Sequence, residues 1–270
     1  MSDQTNTFRD STLNFDQAYY YTLLLLVDAE TFSYAITYKN KIMAYDAGCD
    51  IKELAEPTSL QELLTAPYKK VVVGFIANGF TLVSHEVFKV DHIANFARLL
   101  DVKSNEKVLA QVLDEQNYVI YKVDEKLPAS ISNFNFKTIA FAPKGLIKAT
   151  TKDNPKDDSL YLNINGDKVE FLYFKDDLLR FYNKFAFKDA VDLVYYAALV
   201  TNELQMHPQY TNLMASGDID LEDALYLRLK EFFTTVVLNK IQLFELPAQL
   251  ASHKLLSLAA LSLCESSEGL

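Results

Sequence analysis

The chain has 270 residues, half of them apolar, with 16 tyrosines, 18 phenylalanines and a formal charge of −10. That much apolar side chain can fill one large core or two modest ones and excludes a disordered chain. The acidity disfavours nucleic acid and anionic membrane surfaces, which reward clustered Lys and Arg, and seven glycines are few for the close backbone-to-phosphate contacts of nucleotide loops.

The first half opens as three strands. "AYYYTLLLLV" is a near-continuous apolar run, as a strand buried on both faces requires. "TFSYAITYK" puts Phe32, Tyr34, Ile36 and Tyr38 on one face, and "KIMAYDA" follows a tight Lys39–Asn40 turn. "DIKELAEPTSLQELLTAP" reads as a helix broken at Pro57 and restarted with Ser59 as cap. "KKVVVGFIA" is the next strand. After Asn78–Gly79, "FTLVSHEVF" is an extended piece running into a turn, "DHIANFARLL" an amphipathic helix and "EKVLAQVLDEQ" a short helix. "NYVIYKV" is a strand, "EKLPASISNFN" an irregular helix, and "KTIAFAPKGLIKATTK" a strand followed by a helix.

Residues 151–158, "TKDNPKDD", form the best linker, and beyond them the opening pattern returns. "SLYLNINGDKVEFLYFKDDLLRFYNKFAF" reads as strand, turn, strand, tight turn, strand, with "FKDDL" answering "YKNKI". A long helix, "KDAVDLVYYAALVTNELQM", precedes a strand in "YTNLMASG". "DIDLEDALYLRLKEFF" suits a helix with an apolar stripe through Leu221, Leu225 and Leu229. "TTVVLNKIQLFEL" is strand-like, and "PAQLASHKLLSLAALSLCE" is a helix started by Pro247. Each half thus gives three strands, a helix and another strand, a duplicated order.

Cys49 and Cys264, far apart in sequence, suit a reducing cytosol, with one long-range disulfide left open. The start "MSDQTNTFRDSTLNFDQ" has no basic n-region or early apolar run, and "LLSLAALSLC" is too short to span a bilayer. A cytoplasmic protein without membrane insertion is expected.

Two consecutive β-β-β-α-β-α-β units resemble the actin, hexokinase and heat-shock ATPase superfamily. The phrases "FTLVSHEVF", "YTNLMASGDI" and "HKLLSLAALSLCE" resemble more closely a bacterial family of uncharacterised proteins with an actin-like ATPase fold, known only as a domain of unknown function and distantly related to pilus-assembly and cell-division actin-like proteins. The resemblance implies an α/β fold of two tandem ribonuclease H-like lobes, at 1–155 and 156–270, each a mixed sheet opening with three strands and flanked by helices. It also implies where a nucleotide would sit. An Asp-x-Gly loop in the first hairpin of each half and a glycine turn after a later strand would form the cleft between the lobes.

At those places this chain has Asp28-Ala29-Glu30, then Asn163-Ile164-Asn165 followed by Gly166 and Asp167, then Ser216-Gly217-Asp218. Glu30 stands where glycine is expected and would repel phosphate. Asn163 replaces an aspartate, and Gly166 comes one position late. The resemblance therefore implies a vestigial cleft at Asp28, Asn163, Asn165, Gly166, Ser216 and Gly217, with no catalytic residue, no metal ligand and no resident cofactor, ATP with Mg²⁺ being the one the fold would otherwise take. Asp28 reads equally as a strand-end carboxylate capping a turn.

Other chemistry is weaker. The spacing of His85, Glu86 and His92 does not match the i, i+4 pair of zinc peptidases, and no Gly-x-Ser-x-Gly elbow is present. A nuclease would need several converging carboxylates, and Asp28 has no obvious partner. Cys49 reads either as a thiol at a helix start or as an inert buried one. The expectation is a non-catalytic binding or scaffolding protein that meets a protein partner, with room for a homodimer; the alternative is a nucleotide-binding actin-like protein using Asp28, Asn163 and the 216–218 turn.

Overall fold

The structure, a computed structural model, describes residues 7–77, 79–132, 134 and 137–264. Expectations that touch Asn78, Asn133, Asn135 or Glu265 lie, at those residues, outside it. The chain forms two compact units, one of residues 1–148, 244–249 and 258–270 and one of residues 149–243 and 250–257. It first passes between them after Lys148, a little before the border near 155 expected from the polar stretch, and its last part divides between both.

The first unit carries β1 (Thr7–Arg9), β2 (Thr22–Val27), β3 (Thr31–Tyr38) and β4 (Lys41–Asp50), then short helices α1 (Lys52–Ala55) and α2 (Gln61–Thr65). β5 (Lys70–Phe75) and β6 (Gly79–Ser84) are followed by a 3₁₀ turn, α3 (Ile93–Ala97) and another 3₁₀ turn. β7 (Glu106–Val112), β8 (Asn117–Asp124), α4 (Lys126–Ser130), β9 (Lys137–Phe141) and α5 (Pro143–Lys152) complete the run. The main sheet has the order β1-β4-β3-β2-β5-β9, and β6-β8-β7 make a separate antiparallel sheet inserted between β5 and β9.

The second unit carries β10 (Ser159–Asn165), β11 (Lys168–Lys175), β12 (Leu178–Ala186), α6 (Ala190–Glu203), β13 (Asn212–Gly217), α7 (Ala224–Phe232) and β14 (Thr235–Leu238). α8 (Ser252–Ala260) closes the chain and runs on into a 3₁₀ turn at Leu261–Leu263. Its sheet has the order β12-β11-β10-β13-β14, antiparallel through the first three strands and parallel through the last three. β4-β3-β2-β5-β9 repeats that order and those directions. The duplicated α/β topology expected from the sequence is present.

One face of the second sheet, through Leu160, Leu162, Ile164, Val169 and Phe171, is sealed by Leu193, Ala197 and Val200 of α6 and by Tyr226 and Leu229 of α7. These helices begin where local chemistry starts them. The Asp189 carboxylate accepts from the Val191 and Asp192 amides, and Asp223 accepts from Tyr226 N.

Several expectations are corrected. "EKVLAQVLDEQ" is strand β7, because its pairing with β8 outweighs its helix-forming residues. "AYYY" is a 3₁₀ turn, and β2 starts at Thr22. α2 has no Ser59 cap; the Glu53 carboxylate gathers the Thr58, Ser59 and Leu60 amides instead, and its hydrogen bonds, the Thr58 hydroxyl first, hold its pKa down at about 2. Leu221 lies exposed before α7, whose buried residues are Tyr226 and Leu229. α8 starts at Ser252, not at Pro247. "FKDDL" answers "YKNKI" one residue out of step. The two-residue turns are Lys39-Asn40 and Asp176-Asp177, closed by Tyr38↔Lys41 and Lys175↔Leu178. No helix among the described residues is long and apolar enough to cross a membrane.

In the first unit α5 and the end of α8 touch at backbone distance. A Cβ on Gly145 would lie 2.6 Å from the Ala260 carbonyl oxygen. Ala is worth about 1 kcal/mol more than Gly in a helix interior, but backbone cannot yield as a side chain does, so the clash wins. Gly145→Ala should cost roughly 1–3 kcal/mol, read as a lowered urea midpoint.

Candidate functional site

The ladders set the two hairpins in common register. Val27 pairs with Phe32 and Phe75, and Ile164 pairs with Val169 and Gly217. Val27 O accepts from Ile76 N, and Ile164 O accepts from Asp218 N, both at 2.9 Å. Asp28 therefore corresponds to Asn165, Ala29 to Gly166 and Glu30 to Asp167. Asn163 corresponds to Leu26, inside the sheet, and the comparison of Asp28 with Asn163 made on sequence is out of register by two residues.

At each hairpin the amide of the middle residue is held by a carboxylate of the chain itself. Ala29 N donates to Asp28 Oδ1 at 2.8 Å. Gly166 N donates to Asp218 Oδ2 at 2.8 Å. Asp28 thus caps its turn. Gly166 is left-handed (φ +57°) with open space where a Cβ would be, whereas Asn165 and Asp167 are exposed. Amides that would have to turn toward a phosphate already have anionic partners, and the exposed acids Glu30 and Asp167 stand next to them. This donor set fits a polyphosphate poorly.

Gly217 is glycine for a reason internal to the sheet. Its φ is +85°, and a Cβ there would lie 1.9 Å from the Ile164 oxygen. The residue lets the chain fold back over Ile164 so that Asp218 reaches the hairpin. Ser216, buried, pairs with Asn163 in the parallel ladder.

Asn163 belongs to a buried polar network rather than to the hairpin. Its Nδ2 donates to Glu170 Oε2 at 2.8 Å, and the Ser257 hydroxyl of α8 donates to its Oδ1 at 3.0 Å. The Tyr182 hydroxyl donates to Glu170 Oε1 at 2.8 Å, and burial, then the Glu170 carboxylate, push that hydroxyl well above its ordinary 10. A second group ties α8 to the turn after β13. His253 Nε2, which must carry its proton to meet a carbonyl, donates to Ile219 O at 2.9 Å, and Lys254 Nζ lies 2.6 Å from Asp220 Oδ2. Glu170, Tyr182, Ser257 and Asp218 carry no motif in sequence; only the strand registers and α8 bring them to Asn163 and Gly166.

The remaining candidates are not assembled into a reactive site. Cys49 lies within β4, and its thiol is pushed up to about 12 by burial and then by Asp46. Cys264 is buried, and both cysteines are free thiols. Among the described residues no three His, Cys, Asp or Glu side chains are grouped to hold a metal ion.

Two outcomes follow. Gly217→Ala should destabilise by about 3 kcal/mol or more, combining left-handed strain with the backbone clash, whereas Gly166→Ala should cost about 1 kcal/mol for conformation alone; chemical denaturation orders them. Burial draws His253 below its ordinary 6.5 although Ile219 O and Asp220 favour the charged ring. The unfolded chain then binds that proton more readily, so the contribution is full above pH 6.5 and lost as pH falls below it. Between about pH 7 and 5.5 the urea midpoint of the parent should fall more steeply than that of His253→Asn, which keeps a donor for Ile219.

A search of the curated proteins finds no match. Among solved structures, the chain is similar to a Bacteroides thetaiotaomicron protein with an actin-like ATPase fold and unknown function, at 18% identity and a TM-score of 0.77, covering 94% of this chain and 100% of that one. It is also similar to a chain of the PilM–PilN type IV pilus biogenesis complex, at 12% identity and a TM-score of 0.55, covering 90% and 96%. At such identities the likeness shows the fold alone, which is the actin-like ATPase fold. Residues 10–236 match the family DUF3822, described as a protein of unknown function, a stretch that includes two of the three phrases singled out in the sequence. The chain belongs to the DUF3822 family.

Proposed function

We propose that this protein is a non-catalytic binding or scaffolding protein, cytoplasmic in its place of work, built on a degenerate actin-like ATPase fold. The observation that carries the reading is the pair of occupied amides. In equivalent positions of two equivalent hairpins, Ala29 N is held by Asp28 and Gly166 N by Asp218. A phosphate group at either hairpin would have to displace the carboxylate that holds the amide there and approach the exposed acid beside it, Glu30 or Asp167, at a cost in like-charge repulsion. The fold is retained while the phosphate-facing donors are spent internally. That a chain of similar fold is part of the PilM–PilN type IV pilus biogenesis complex is in keeping with work done by assembly.

The alternative, nucleotide binding without hydrolysis, draws on the open space beside left-handed Gly166. Isothermal titration of the full chain with Mg-ATP separates the two. No saturable heat up to about millimolar nucleotide is expected; micromolar binding that Asp28→Ala abolishes would replace this reading with the alternative.

A further inference from the structure

The small sheet of the first unit has no counterpart in the second, where α7 alone joins β13 to β14. Its β7 is an edge strand. Among the described residues it pairs only with β8, in an unbroken register from Glu106↔Asp124 to Val112↔Tyr118. Edges of this kind are normally blunted by a bulge, a proline or several charges. β7 has no bulge and no proline, and its one exposed charge is Lys107. Alternate residues along it turn N–H and C=O groups away from β8, toward whatever lies alongside.

Beside that edge lies an apolar groove of about 620 Å³. Val90, Ile93 and Ala97 of the 90–97 helical segment line it with Val102 and Val108, and Asp91 and Arg98 are the charged residues of the lining. Leu100, Ala110, Ile120 and Val83 form the core beneath, and Ile93, Phe96 and Val108 pack on it. Within the lining Val90 is 52% exposed, and Val112, on the same face of β7 as Val108, is 36% exposed. A buried ion pair braces the turn that leads into β7. Lys122 Nζ lies 2.8 Å from Glu106 Oε2 and donates to the Asp101 carbonyl at 2.9 Å, fixing the left-handed turn that joins the helical segment to β7.

We propose that this edge and groove together take an extended segment of a partner protein, added as a fourth strand beside β7. This rests on the reading of the protein as a binding protein and deepens it. Beyond Glu106, whose amide donates to Lys103 O at 3.1 Å, the outward backbone groups of Val108, Ala110 and Val112 offer a short ladder to another strand, so backbone pairing supplies affinity and the groove selects side chains. Val108, Ala110 and Val112 share one face of β7, being cross-strand to Lys122, Ile120 and Tyr118. A strand laid beside them places alternate residues over the groove, and these must be apolar. The other face of β7 presents exposed Lys107, whereas the groove lining carries one exposed charge of each sign, Asp91 and Arg98. The favoured segment therefore alternates apolar residues and carries an acidic residue across from Lys107, since opposite charges across a ladder attract. A second copy of this chain is a poorer occupant. It carries a net charge of −10, and the Lys107 face of its own β7 offers Lys107, Leu109 and Gln111 but no acid.

The test uses a fluorescent peptide, acetyl-Glu-Val-Thr-Val-Thr-Val-Glu-amide, and anisotropy against the full chain. Micromolar binding is expected, weakened at least about tenfold by Ala97→Glu in the groove and weakened by Lys107→Glu. Methylating alternate peptide nitrogens should abolish binding for one set and spare it for the other, because only one set faces β7. Lys107 is exposed and Ala97 half-buried, and unchanged urea midpoints would show both variants folded. No binding at millimolar peptide, equal effects of the two methylation sets, or indifference to Ala97→Glu would each overturn the proposal. Concentration-dependent dimers that Ala97→Glu dissolves would overturn it in favour of a second copy. Micromolar Mg-ATP binding would defeat the binding-protein reading instead, so the two failures are distinct.

Discussion

A parallel pair of strands ends in two loose chain ends, and what closes them decides what can be built above. Here one backbone bond does so in each repeat, Ile76 N to Val27 O and Asp218 N to Ile164 O. It pulls the chain leaving the second strand over the end of the first, next to the hairpin. In the second repeat this requires a left-handed glycine, and Asp218 is thereby delivered to the Gly166 amide. In the first, Phe75 stands in the glycine's place, and Asp28 caps its own turn. The same closure reaches the same electrostatic result by two different residues.

The strand order and its duplication were legible because period-2 patterns and tight turns are local properties. Phe32, Tyr34 and Ile36 are buried as their alternation requires. The misread parts depend on distant partners. Glu106 to Val112 is rich in residues that favour helices, yet β8 claims it. Glu53 gathers the amides of the turn that leads into the next helix, a reach across the Pro57 break that no short window registers.

The candidate residues divide in the same way. Asp28 sits at a strand end with a turn after it, and its role follows from its neighbours. The sequence sets Asn163 against it, but a ladder register is a property of two strands, and the true counterpart lies two residues on. Asn163 instead satisfies Glu170 and Ser257, so that a half-buried carboxylate keeps its donors. Such a network has no signature until the strands and α8 are assembled.

The return of the last residues to the first unit bears on how the molecule is made. Leu261 packs so closely over Gly74 that a Cβ there would meet its side chain at 2.5 Å, and Ala260 lies against Gly145. On a ribosome, the portion synthesised first must wait with that surface bare until the closing helix emerges, while the intervening unit has every strand of its own sheet in hand. The surface around Gly74 and Gly145 therefore stays unsealed until α8 has been made, well after the strands beneath it, and α8 also supplies the second unit with His253, Lys254 and Ser257.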